Sequence, residues 1–146
     1  MRIPTNLLAA GVASLIVYGG WQLIRSDIEL QRSETATRQE RLRFAAELRL
    51  RSALAGAQTG SSGWVYTVEP NWFRSIPRNH LLPKSHAWLE IATPEQSRLR
   101  HPSDRMVTGP TDAAWWYNPA TGDLRARVPP TGGESQAHVM YANVND

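Results

Sequence analysis

The hydrophobic pattern changes period along the chain. Leu7 to Ile24 (LLAAGVASLIVYGGWQLI) is a run of eighteen residues without a charge. As a helix rising about 1.5 Å per residue it reaches about 27 Å, close to a hydrocarbon core of about 30 Å, so a membrane span is predicted. Tyr18 and Trp21 suit an interfacial aromatic belt at its far end, and Pro4 and Asn6 read as helix-start signals ahead of it. There is no proline between Pro4 and Pro70 and no glycine from Arg25 to Ala55, so nothing obliges the helix to stop at the headgroups. Residues 25–41 are mostly polar, with Glu34 and Arg38 at the favourable four-residue spacing, and read as a solvated shaft. From residue 42 an apolar face emerges: Leu42, Ala46, Leu50, Ala53 and Leu54 recur at helical spacing, flanked by Phe44 and Leu48. The register does not persist over three or four heptads, which favours packing on the chain's own carboxyl domain over a coiled coil.

After a glycine- and serine-rich break at Ala57 to Gly63, the period shortens to that of strands. Candidate strands are Trp64 to Val68, Ala87 to Ala92, Met106 to Thr108, Ala114 to Tyr117, Leu124 to Val128 and His138 to Asn143. The clearest hairpin runs from Trp115 to Val128, where Asn118-Pro119 begins a turn and Gly122 supplies a positive φ that closes it. Alternation sends Leu124, Ala126 and Val128 to one face and Arg125 and Arg127 to the other. The predicted fold class is α+β: a long N-terminal transmembrane-to-amphipathic helix packed on a small antiparallel β-sheet. Its parts are a short N-terminus and span (1–24), an amphipathic helix (25–56) and a small β-rich domain (57–146).

At 146 residues the chain has room for one domain and an appendage. Its formal charge of +3 raises nucleic acid as a partner, but the excess lies entirely in residues 1–56, with eight basic and five acidic groups. Residues 57–146 hold eight of each, so nucleic acid is not expected. The absence of cysteine excludes disulfides and thiol chemistry and leaves the compartment open. A cleaved secretory signal is the rival reading of the first residues, disfavoured because no small-x-small site with a loop follows the apolar run.

Little in the chain points to catalysis. His80, His86, His101 and His138 have no three- or four-residue spacing and no cysteine beside them, so no metal and no cofactor is expected. His80, His86, Ser103 and Asp104 make a triad only on paper, without a nucleophile elbow. Gly60-Ser61-Ser62-Gly63 lacks the lysine of a phosphate loop and reads as a linker. Five of six tryptophans lie beyond residue 57, which suggests either a compact aromatic core or platforms for stacking on sugars. Alternation predicts that only one of Trp115 and Trp116 faces the core, leaving the other for a partner. The candidate partner-binding residues are Trp115, Trp116, Tyr117, Arg125 and Arg127.

An N-terminal span continuing into an amphipathic helix, a Gly-Ser loop and a sheet with a Trp-Tyr-Asn-Pro-Ala-Thr-Gly hairpin resembles the type IV pilin and type II secretion pseudopilin superfamily. The resemblance is architectural along the whole chain, and its most specific part is Trp115 to Val128. It implies a non-enzymatic single-pass inner-membrane protein with a periplasmic carboxyl domain, whose partners are the bilayer, through Leu7 to Ile24, and other pilin-like or secretion-system membrane subunits. The front of the chain departs from the family pattern: Met1-Arg2-Ile3-Pro4-Thr5-Asn6 leads directly into Leu7, without a basic residue and glycine before Phe-Thr-Leu, and the first acid is Asp27. The expectation is therefore an uncleaved accessory protein rather than a major filament subunit. The alternative expectation is an anchored periplasmic binding module for envelope polysaccharide or peptidoglycan.

Overall fold

The computed structural model describes the backbone of residues 5–54 and 56–146 and the side chains of residues 25–54 and 56–146. The elements in order are α1 (Thr5–Ala53), a 3-10 turn (Pro70–Trp72), β1 (Ala87–Ile91), a second 3-10 turn (Pro94–Gln96), β2 (Ala113–Asn118), β3 (Asp123–Ala126) and α2 (Glu134–Asn145). The class is α+β. Residues 1–32 and residues 33–146 form two separate compact units, the boundary falling within α1. Among the described residues no helix is long and apolar enough to cross a membrane. The expected span, residues 7–24, lies outside the residues whose side chains are described.

The sheet has the order β1-β2-β3 and is mixed, not antiparallel throughout as the hairpin alone suggested. β2 and β3 pair antiparallel, Trp115 opposite Ala126 and Asn118 opposite Asp123, whereas β1 and β2 run parallel, Leu89 opposite Trp115. A parallel pair needs a long return connection, and residues 92–112 supply it. At the hairpin, Asn118 accepts from the Gly122 amide at 2.7 Å through its carbonyl and from the Ala120 amide at 2.9 Å through its side chain. Gly122 has φ 76°, as expected, and the Trp64 ring stands where its side chain would be. Both the conformation and the close approach require glycine there.

Both faces of the sheet are covered. Trp115 and Tyr117 point one way and Trp116 the other by strand alternation, yet all three are 0% exposed. On the Trp115 face, Phe44 of α1 meets Trp115 edge-on at 5.9 Å and stacks on Trp88 at 5.6 Å. The Trp115 indole donates to the Pro77 carbonyl at 3.1 Å, and the Tyr117 hydroxyl to that of Val65 at 3.0 Å. On the Trp116 face the donors are polar side chains. Asn118 Nδ2 reaches the carbonyls of Gln96, Ser97 and Leu99, Arg125 Nε that of Arg100 and Arg127 Nε that of Asp104. These bonds hold the return connection over the sheet, giving its backbone carbonyls side-chain partners.

Residues 138–143 were expected to be a strand and instead lie in α2, whose buried Ala137, Met140, Tyr141 and Val144 follow helical spacing. Residues 64–68 and 106–108 contribute only the isolated bridges Thr59 to Val65 and Met106 to Val128. The buried face of α1 is also not the expected one: Leu42, Leu50 and Leu54 are 54%, 55% and 49% exposed, while Phe44 and Leu48 are 0% and 1% exposed.

The stripe of α1 that packs inward is Thr37, Arg41, Phe44, Leu48 and Ser52, at helical spacing but with three of its five members polar. Each polar member has a partner. Thr37 Oγ1 accepts from the His80 amide at 2.9 Å and donates to Asn79 Oδ1 at 3.4 Å. Arg41 Nε donates to the Val144 carbonyl at 2.9 Å, and Ser52 Oγ accepts from the Val65 amide at 3.1 Å. Asn79 carries the network onward, its Nδ2 donating to the carbonyls of Ala114 and Arg127 at 3.1 and 2.7 Å. Aromatic contacts at Phe44 and satisfied polar groups together select this face over the more hydrophobic one beside it.

The outer edge of β3 is closed by a side chain. Asn145 Oδ1 accepts from the Ala126 amide at 2.8 Å and its Nδ2 donates to the Ala126 carbonyl at 2.9 Å, so one amide side chain takes the place of a neighbouring strand. This occupies the outward ladder groups of Ala126, which would otherwise be open to pairing with another chain.

Candidate contact surface

The five residues expected to meet a partner are brought together by the hairpin, but they are turned to internal use. Trp115, Trp116 and Tyr117 are fully buried and Arg127 is buried. Arg127 forms an ion pair with Glu90 at 2.8 Å and donates to the Ala113 carbonyl at 3.2 Å. Arg125 pairs with Asp123 at 2.9 Å while its Nε holds Arg100. Strand alternation does separate Trp115 from Trp116, but covering layers on both sides leave neither indole for a sugar to stack on. The physical reason is the return connection, whose carbonyls capture the Trp116 face.

What the head exposes instead is apolar surface on α1. Leu42, Leu50 and Leu54, with the exposed Ala46 and Ala53 between them, occupy successive turns. Exposed Arg38 and Arg49 flank them, and neither has an ion-pair partner among the described residues. Arg43 is engaged, by Glu40 at 2.6 Å and the Ser75 carbonyl at 3.0 Å. Single exposed leucines are ordinary, but a row of them on one helix face is the form a helix-packing surface takes. The sequence pattern located these residues correctly as an apolar face; it misjudged only what covers them.

No family model, curated protein or solved structure matches the chain.

The titratable groups around α2 are governed by burial. Desolvation pushes the Tyr141 hydroxyl up to about 12 and raises Tyr117 further. Desolvation, then the nearby Arg125 and Arg105, lowers His101, whose Nδ1 lies 3.1 Å from the Tyr141 hydroxyl. Arg105 also covers the Tyr141 ring at 5.2 Å. Among the described residues no three His, Asp or Glu side chains gather as metal ligands, and no hydrogen bond links His80, His86, Ser103 and Asp104 to one another.

Proposed function

We propose that the chain is a non-enzymatic, single-pass inner-membrane protein of pilin-like design that acts in assembly or operation of a type IV pilus or a type II secretion system, its carboxyl domain in the periplasm. The observation that carries this reading is the exposed leucine row on α1. The helix that contains the uncharged run of residues 7–24 also contains this row, while its opposite stripe is built into the α+β head. A helix used on both sides in this way suits a protein that holds its own head with one face and a neighbouring subunit's helix with the other. The resemblance of Trp115 to Val128 to pilin-like hairpins points the same way, with the hairpin acting as the head's internal frame and α1 as the contact.

The test is co-purification from detergent-solubilised membranes carrying the candidate machine. Because Thr37, Phe44 and Leu48 belong to the head, a truncation has to begin no later than Ser33. Full-length protein is expected to retain secretion or pilus subunits. A chain starting at Arg25 keeps the leucine row and is expected to retain them more weakly, whereas a full-length Leu42→Ser/Leu50→Ser variant is expected to lose them, in both cases with the head's unfolding transition intact. Equal retention by the leucine variant would remove the contact surface from the account.

A further inference from the structure

We propose that a cavity beside β1, walled by Ile76, Pro83, Trp88 and Trp115 and rimmed by Arg78 and Lys84, binds a small anionic amphiphile: an apolar, ring-sized body carrying a carboxylate. The proposal is independent of the pilin-like reading. Four observations converge on this place.

First, the cavity measures about 450 Å³, within the roughly 300–1,000 Å³ typical of small-molecule sites, and its wall is mainly apolar. Second, the segment that forms its rim is electrically one-sided. From residue 70 to residue 89 the chain carries Arg74, Arg78 and Lys84 and no acid, although residues 57–146 as a whole are balanced. Third, Arg78 and Lys84 are exposed, line the cavity and have no ion-pair partner among the described residues. Elsewhere in the head the buried arginine, Arg127, is paired and its guanidinium is spent on backbone carbonyls. Fourth, of three buried side-chain nitrogens without a hydrogen-bond partner among the described residues, two belong to residues lining the cavity, His86 Nδ1 and Trp88 Nε1, and the third, Trp116 Nε1, lies on the other face of the sheet.

Buried polar atoms in folded proteins nearly always have partners, and two of the three orphans belong to residues lining one cavity, where a bound molecule or water can complete their hydrogen bonding. The contrast with Trp115 is direct: its indole shares the same wall but is satisfied by the Pro77 carbonyl. A carboxylate suits the remaining groups. It accepts in two directions, pairs with guanidinium in a planar fork and needs no donor of its own. The apolar body would lie against the Trp88 ring, whose position is fixed by stacking on Phe44.

The experiment uses the full chain in neutral detergent, ¹⁵N-labelled on the indoles, titrated with 3-phenylpropionate and with uncharged 3-phenylpropanamide. The carboxylate is expected to shift the Trp88 indole resonance saturably and to bind at least about tenfold more tightly than the amide at low salt. In Arg78→Gln/Lys84→Gln the carboxylate should fall to the amide's affinity while the unfolding midpoint is unchanged. Ile76→Glu, a substitution at a half-exposed position of the wall, should abolish carboxylate binding. Equal affinity for the two probes, no saturable shift at Trp88, or carboxylate affinity unaffected by loss of the two cations would each overturn the proposal.

Discussion

Leu48 and Leu50 lie two residues apart on α1 and are the same side chain, but they should respond to truncation in opposite ways. Leu48 is 1% exposed and Leu50 is 55% exposed. Leu48→Ala deletes buried methyl groups from a layer that includes Phe44 and Trp115, so both transfer free energy and a residual cavity count against it. The usual range for such a change is about 2–5 kcal/mol. Leu50→Ala removes surface that is already largely in water, and alanine is the better helix former, so the expected change lies within about 0.5 kcal/mol of zero. Urea unfolding of the detergent-solubilised protein, followed by tryptophan fluorescence, measures both, since Trp88 and Trp115 report on the layer around Phe44. A Leu50→Ala cost equal to or greater than that of Leu48→Ala would refute the assigned helix face, and with it the argument that Leu42, Leu50 and Leu54 are free to meet a neighbour.

Asn145→Ala strands the Ala126 amide and carbonyl together, at about 1–3 kcal/mol for each unsatisfied group, so a loss of at least about 2 kcal/mol is expected in the same assay. Asn145→Asp should do no better, because a carboxylate oxygen would face the Ala126 carbonyl. Thr37→Val keeps the shape but orphans the His80 amide and should cost about 1–3 kcal/mol, whereas Thr37→Ser, which keeps the hydroxyl, should recover most of it. His101 is held below its ordinary value of 6.5 in the folded state, so below that pH the unfolded chain binds the proton more readily. Its contribution is complete above the unfolded value and is lost progressively as pH falls from there through the lowered folded value, giving a lower urea midpoint at pH 5.5 than at pH 7.5. In His101→Gln this part of the pH dependence should disappear; if it persists unchanged, His101 is not its source.

How far the fold was legible depended on whether its determinants are local. The β2–β3 hairpin was readable because Asn118 and Gly122 fix the turn by their own chemistry. Parallel pairing of β1 with β2 was not, since it depends on the return connection of residues 92–112, which Asn118, Arg125 and Arg127 bind only in the folded chain. α2 was mistaken for a strand because His138 to Asn143 is too short a window to distinguish the periods. Extending it by one residue each way reveals Ala137, Met140, Tyr141 and Val144 at helical spacing. For α1 the hydropathy pattern picked the exposed face, because the buried stripe includes Thr37, Arg41 and Ser52, polar groups whose partners lie 13 or more residues away. The hairpin aromatics were located correctly and assigned the wrong exposure for a related reason: alternation describes the strand, but it says nothing about what covers each face.

The proposed role requires an anchored chain with an exported head. The most direct measurement combines alkaline carbonate extraction of membranes with intact-mass analysis and a compartment reporter fused after Asp146. The predicted result is full-length protein, residues 1–24 included, retained in the membrane pellet with the reporter active in the periplasm. Full-length protein released to the supernatant, a mature product lacking its first residues, or a reporter active only in the cytoplasm would contradict it.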